Sequence, residues 1–193
     1  FDIEIIGAEL EISKRGVTFT SATDEKEYDG TPLVNGNVTV SGDGFAEGEG
    51  ASYSITGSQL IPGSSENAFS YTLNDGTNAG NYAISVQTGT LTVTSRTASG
   101  RYQIVVEGDS DSVMYDGAQH AISGFKATEF TIENGQTYTV EGLTASASGT
   151  NAGEYEAAVT GSPVVRDAAG NDVTDQFDVA TTAGKLEINA RKI

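Results

Sequence analysis

The sequence predicts an all-β chain: two tandem antiparallel β domains, each a small sandwich or a β-grasp-like sheet, with little or no helix. Three observations carry this. Apolar and small polar residues alternate at a period of two, a unit of about ninety residues occurs twice, and 24 glycines punctuate the runs.

Val17-Thr18-Phe19-Thr20, Phe69-Ser70-Tyr71-Thr72-Leu73 and Tyr82-Ala83-Ile84-Ser85-Val86 place apolar side chains on one face and polar ones on the other. That is the pattern of a strand with one dry face. β-branched and aromatic residues fill these runs, as a half-buried pleated surface prefers. Leu, Ile, Val and Phe are scarce enough for disorder to be the competing reading. The alternation decides against it.

The repeat is clearest in three segments. Phe1-Asp2-Ile3 leads to Leu10-Glu11-Ile12, Tyr82-Ala83-Ile84 to Leu91-Thr92-Val93, and Phe177-Asp178-Val179 to Leu186-Glu187-Ile188. Arg15, Arg96 and Arg191 follow each at the same distance, and Gly7, Gly89 and Gly184 fall between the two halves. A β-hairpin with glycine at its turn accounts for the spacing. Upstream, Val17 and Phe19 match Ile104 and Val106, and Tyr28-Asp29-Gly30 matches Tyr115-Asp116-Gly117, both 87 residues apart. Tyr53 to Gly57 matches Tyr138 to Gly142 at 85, and Gly63 and Phe69 match Gly149 and Tyr155 at 86. Between Tyr82 and Phe177 the separation is 95, so copy two carries nine extra residues after Val159. Their Gly170, Asn171 and Asp172 read as the turn of an inserted hairpin.

The resulting division is residues 1–15 as the terminal hairpin of a preceding repeat, 16–96 as repeat one, and 97–193 as repeat two with the inserted hairpin. Little chain is left for linkers, so consecutive units are expected end to end with limited bending. The expected aromatic core is Phe19, Tyr53, Phe69, Tyr71 and Tyr82 in copy one, and Tyr102, Tyr138, Tyr155 and Phe177 in copy two.

The formal charge of -17, from 27 acidic and 10 basic residues, repels nucleic acid and anionic membranes and favours a soluble monomer. No cysteine is present, which removes disulfides, zinc-thiolate sites and a cysteine nucleophile. No apolar run approaches the roughly 18 residues of a membrane span. The chain opens in mid-pattern at Phe1, as a cut-out fragment would.

Candidate sites are few. The Tyr-Asp-Gly corner recurs, and its Asp and Gly suit a turn while its Tyr packs or hydrogen-bonds locally. Calcium wants six to eight oxygens. Asp109-Ser110-Asp111-Ser112 begins like a calcium loop, but Val113 and a missing glycine break the pattern. Asp167, Asn171, Asp172 and Asp175 are the better calcium candidates; no other cofactor is expected. None of Lys14, Lys26, Lys126, Lys185 and Lys192 takes an inward strand position, which disfavours an isopeptide crosslink. The single His120 has no Ser-His-Asp context and reads as a surface residue. An enzyme is not expected.

The order Tyr-Asp-Gly, glycine strand, aromatic strand, then Gly-x-Leu-x-β-branched-x-x-Arg is similar to the MBG repeats of bacterial surface proteins, with their YGX class nearest. The likeness is carried by 56–82 and Gly89-Thr90-Leu91-Thr92-Val93 in copy one. In copy two it is carried by 149–155 and 170–177. The resemblance implies adhesin-like, extracellular or wall-attached proteins with such modules in series, and no enzymatic activity. The expected function is a spacer or stalk whose partners are neighbouring repeats in the same chain. The alternative is a binding module for host mucin, a glycan or an extracellular protein, placed around residues 160–176.

Overall fold

The computed structural model describes Gly7 and residues 9–192. Much of the hairpin expected over 1–15 therefore lies outside the described residues. Residues 9–14 form no strand, and Leu10 and Ile12 are each 86% exposed.

Over the described residues the chain is all-β as expected, apart from three single 3-10 turns at Ala79–Asn81, Ala98–Gly100 and Thr174–Gln176. It divides into two compact units. One holds the described residues up to Lys26 together with Pro32–Val93, and the other holds Glu27–Thr31 together with the chain from Thr94 onward. The sequence boundary at 96/97 and the compact units thus differ: Glu27–Thr31, from repeat one, is built into the second unit.

The strands of the first repeat are β1 (Arg15–Ser21), β2 (Asp24–Glu27), β3 (Val38–Gly42), β4 (Ala51–Ile55), β5 (Gly63–Glu66), β6 (Phe69–Leu73), β7 (Tyr82–Gln87) and β8 (Thr90–Thr94). They form sheets ordered β3-β1-β7, β2-β8-β5 and β4-β6. Val17, Phe19 and Tyr82 are buried, and Val38, Phe45, Ala51, Tyr53, Phe69 and Ile84 pack against them. The Phe19 ring meets Tyr53 edge-on at 5.2 Å and Tyr71 at 4.8 Å. Tyr71 corrects one expectation: it touches the core ring but is 38% exposed, so it is a rim residue with a wet polar tip.

The second repeat supplies β9 (Tyr102–Glu107), β10 (Asp111–Met114), β11 (His120–Ser123), β12 (Glu129–Thr131), β13 (Thr137–Gly149), β14 (Gly153–Ala157), β15 (Val159–Arg166), β16 (Phe177–Thr182) and β17 (Gly184–Asn189). Its sheets run β10-β17-β14, β16-β9, and β11-β13-β12 with β15 on β13. Tyr102, Tyr138 and Phe177 are buried, as expected, whereas Tyr155 is half-buried over Gly149.

Two expectations about strand pairing are corrected. Two sheets are mixed and one is wholly parallel, because β1 runs parallel to β7, β9 to β16, and β10 to β17. The segments centred on Gly89 and Gly184 are also not hairpins. β7 pairs with β1 while β8 lies between β2 and β5, so the chain changes sheet at Gly89. β16 and β17 do the same at Gly184. Neither glycine has a positive φ. Each is glycine because a Cβ would overlap backbone, the Ala22 carbonyl at Gly89 and the Asp109 carbonyl at Gly184. Ala22 and Asp109 lie where the first strand of each repeat also changes sheet, so two backbone corners touch.

Register corrects the alignment as well. Gly63 faces Val93, and Gly153 faces Ile188, so Gly63 corresponds to Gly153 rather than Gly149. Part of the extra length in copy two accordingly lies before Gly153, in the long β13. The turn expected at 167–172 is present: Gly170 N–H donates to Asp167 O at 3.0 Å, and Arg166 bridges Asp172.

Candidate functional site

The feature that both repeats share and use differently is the Tyr-Asp-Gly corner. In the second unit the Tyr28 backbone N–H donates to Thr94 O at 2.9 Å. The Asp29 carboxylate accepts from Thr31 N–H at 2.9 Å and the Thr31 hydroxyl at 2.7 Å, the side-chain turn for which Asp is favoured. Gly30 then takes φ 79°, open to glycine at little cost. The corner is thereby bent so that the Tyr28 ring enters the unit, where it is 1% exposed.

Its surroundings are polar and paired. The Tyr28 and Tyr138 hydroxyls are 3.3 Å apart. Asn134 Nδ2 donates to Asp29 O at 2.8 Å and to the Tyr138 hydroxyl at 3.0 Å. Arg96 Nη1 donates to Tyr28 O at 3.0 Å, and its guanidinium lies 3.9 Å from the Tyr102 ring centroid, a cation–π arrangement. Phe177 packs edge-on against Tyr138 at 4.7 Å. Burial, and next the Tyr138 hydroxyl, push the Tyr28 phenol well above its ordinary value. Burial also raises Tyr102, against the opposing field of Arg96. Both phenols are therefore neutral at physiological pH, and they act as ring surface and hydrogen-bonding groups.

The sequence reading had Tyr28 packing locally. Its hydroxyl partner is instead 110 residues away in the chain. Asn134, which locks the corner, carried no sequence signal, because its role depends on which carbonyl the fold brings within reach.

The second corner repeats the backbone and leaves the ring outside. Tyr115 N–H donates to Asn189 O at 2.9 Å, Asp116 accepts from Ala118 N–H at 2.8 Å, and Gly117 has φ 86°. Yet Tyr115 is 38% exposed, beside a surface hollow lined by Asn151, Ala152, Ala190 and Arg191. A Cβ on Gly117 would meet nothing, whereas one on Gly30 would overlap the Tyr138 hydroxyl. The amide of Ala118, then His120, holds the Asp116 carboxyl below its usual range. His120 Nε2 sits 3.0 Å from that carboxylate.

The calcium candidates are engaged otherwise. Asp167 Oδ1 accepts from Ala169 and Asn171 N–H, and its Oδ2 from Asn171 Nδ2 at 2.8 Å. Asp172 accepts from Thr174 N–H and its hydroxyl, which hold its carboxyl low. The side chains of Asp167, Asn171 and Asp172 thus cap turns, and Asp175 lies in the 3-10 turn that follows. Among the described residues no group of three or more His, Cys, Asp or Glu converges to hold a metal.

No helix among the described residues is long and apolar enough to cross a membrane. Comparison of the chain with family models, curated proteins and solved structures finds no match, so the likeness to MBG repeats rests on the residues that carry it.

Proposed function

We propose that this chain is a non-catalytic spacer, a series of extracellular β modules that holds a binding region away from a bacterial surface. The observation that supports it is the corner used twice. Tyr28 is buried in the second unit, and Tyr115 presents the same backbone with its ring exposed. A repeat whose corner tyrosine is exposed, where the preceding copy's is buried within the following unit, leaves that corner open to a further copy in series. Arg191 stands in repeat two where Arg96 stands in repeat one, ready for the same pairing.

The test is a chain lengthened by a further copy of residues 94–193. Tyr115 should then resist nitration as Tyr28 does, and the product should unfold no more easily than the parent. Unchanged reactivity of Tyr115 would remove the support for the series. Saturable binding of the full chain to a mucin or glycan panel would replace the spacer reading with the binding-module one.

A further inference from the structure

The two repeats begin with the same strand in the same setting, and they treat its outer edge differently. In the first unit, β1 has β7 on one side, parallel, and β3 on the other, antiparallel from Val17↔Gly42 to Ser21↔Val38. In the second unit, β9 has β16 on the matching side, parallel from Tyr102↔Phe177 to Glu107↔Thr182. Among the described residues no strand lies on its other edge.

The chain starts to fill that edge and then leaves it. Asp109 N–H donates to Gly124 O at 3.1 Å, as Ala22 does to Asn37 O at 3.0 Å. Gly108 bridges Phe125, as Ser21 pairs with Val38. One further bond follows, Lys126 N–H to Glu107 O at 3.0 Å. The chain then departs, and Glu129–Thr131 pairs with β13 instead. Residues alternate along a strand, so the side of Glu107 and Asp109 that bonds this segment is also the side to which the Gln103 and Val105 amides and carbonyls turn. What remains is a groove of about 340 Å³ lined by five consecutive residues, Arg101 to Val105, on one wall and Phe130 to Glu133 on the other. Val105 is 50% exposed.

Charge marks the groove's end. In the first unit, the residue after β3 is Asp43, whose carboxylate accepts from Gly16 N–H at 2.8 Å, while Arg15 reaches the carbonyls of Asp43 and Gly44. In the second unit the corresponding end carries Arg101, whose Nε is buried without a hydrogen-bond partner. Its Nη1 is 3.6 Å from Asp178. A buried guanidinium N–H without an acceptor is costly to leave unmade.

We propose that the open edge of β9 accepts an extended segment of another protein by β-strand addition. The segment runs antiparallel to β9, has β-branched residues at alternate positions, and carries an acidic residue at its C-terminal end beside Arg101. Main-chain bonds to Gln103 and Val105 supply affinity, and the groove and Arg101 select side chains. This gives the second unit a binding capacity beyond that of a spacer. Unpaired strand edges are usually blunted, and here unit one shows what such an edge takes.

The probe is an N-acetylated tetrapeptide with the sequence of Val40–Asp43, the part of β3 whose counterpart on β9 is open, titrated into the full chain and followed by amide shifts in NMR. Saturable shifts confined to Arg101–Val105 and Phe130–Glu133 are expected. N-methylation at the Ser41 position, which pairs with Thr18 in the intact sheet and would lie opposite Val105 here, should abolish them, and N-methylation at the Val40 position should not. Arg101→Gln should weaken binding on the order of tenfold. Absence of saturable shifts at millimolar peptide, or equal binding by the Ser41-methylated peptide, would overturn the proposal. So would concentration-dependent self-association that shifts the same amides without peptide, since a second copy would then be the occupant.

Discussion

Tyr28 and Tyr115 stand at the same place in the repeat, and their substitution should separate ring burial from local turn chemistry. Tyr28→Ala should cost about 3–5 kcal/mol, the range for emptying a buried aromatic site, whereas Tyr115→Ala should stay within roughly 1 kcal/mol. Urea denaturation of both variants measures this. Gly30→Ala and Gly117→Ala make a finer pair. Both forfeit a positive φ, worth about 1 kcal/mol, but only Gly30 would also drive a Cβ into the Tyr138 hydroxyl. Gly30→Ala should therefore be the more damaging of the two. The raised Tyr28 phenol sets a pH dependence. Its folded value lies above its unfolded value of about 10, so its contribution is complete below pH ~10 and is lost as pH climbs past it. Tyr28→Phe should accordingly lessen the alkaline fall in stability, and an unchanged slope between pH 9 and 11 (a range set by the ~10 reference value) would refute the burial argument. At this scale the sequence announced a turn at each corner, since Asp and Gly act within a few residues. It was silent on which tyrosine is buried, because that depends on Asn134 and Tyr138 arriving from elsewhere.

The sheet-changing corners belong to the scale of elements. At Gly184 an added Cβ would strike the Asp109 carbonyl, and at Gly89 the Ala22 carbonyl; these are backbone atoms that no side-chain rotation can clear. Gly184→Ala and Gly89→Ala should each destabilise by roughly 3 kcal/mol or more, read as a fall in thermal midpoint with the fold otherwise intact. The two repeats secure the corner by different means. In the first, the wholly buried Asn67 donates to the carbonyls of Ala22 and Asn35 at 3.0 Å each, and the Ser21 hydroxyl bridges Asn67 O and Gly89 N–H. In the second, Ala157 pairs with Gly184, Gly108 packs closely against it, and Lys185 N–H donates to the Ser110 hydroxyl at 3.0 Å. Asn67→Ala should thus cost about 1–3 kcal/mol by leaving buried carbonyls unpaired, despite recreating the residue of the other copy. Period-two alternation located these strands, although Val86, placed on the dry face of β7, is 48% exposed. It could not separate a hairpin from a change of sheet, because a glycine between two apolar runs serves either, and parallel pairing between distant strands leaves no local mark.

At the scale of the whole chain, the compact units do not follow the repeat boundary, since Glu27–Thr31 belongs with the second. Hydrogen exchange tests this directly. The Tyr28 amide, bonded to Thr94 O, should open with the free energy of second-unit amides such as Val140, and Tyr28→Ala should loosen the two together. If it instead follows first-unit amides, the partition is wrong. The sequence by itself determined that the chain is all-β and where its alternating runs form strands. Those properties are written in spacing along the chain, and burial of one face is enough to enforce them. Only the tertiary structure decided that parallel and antiparallel pairs are combined, that Tyr28 is buried and Tyr115 exposed, and that β9 keeps an open edge while β1 does not. Each of these depends on which distant groups come within hydrogen-bonding distance, and corresponding stretches of the two copies meet that condition differently.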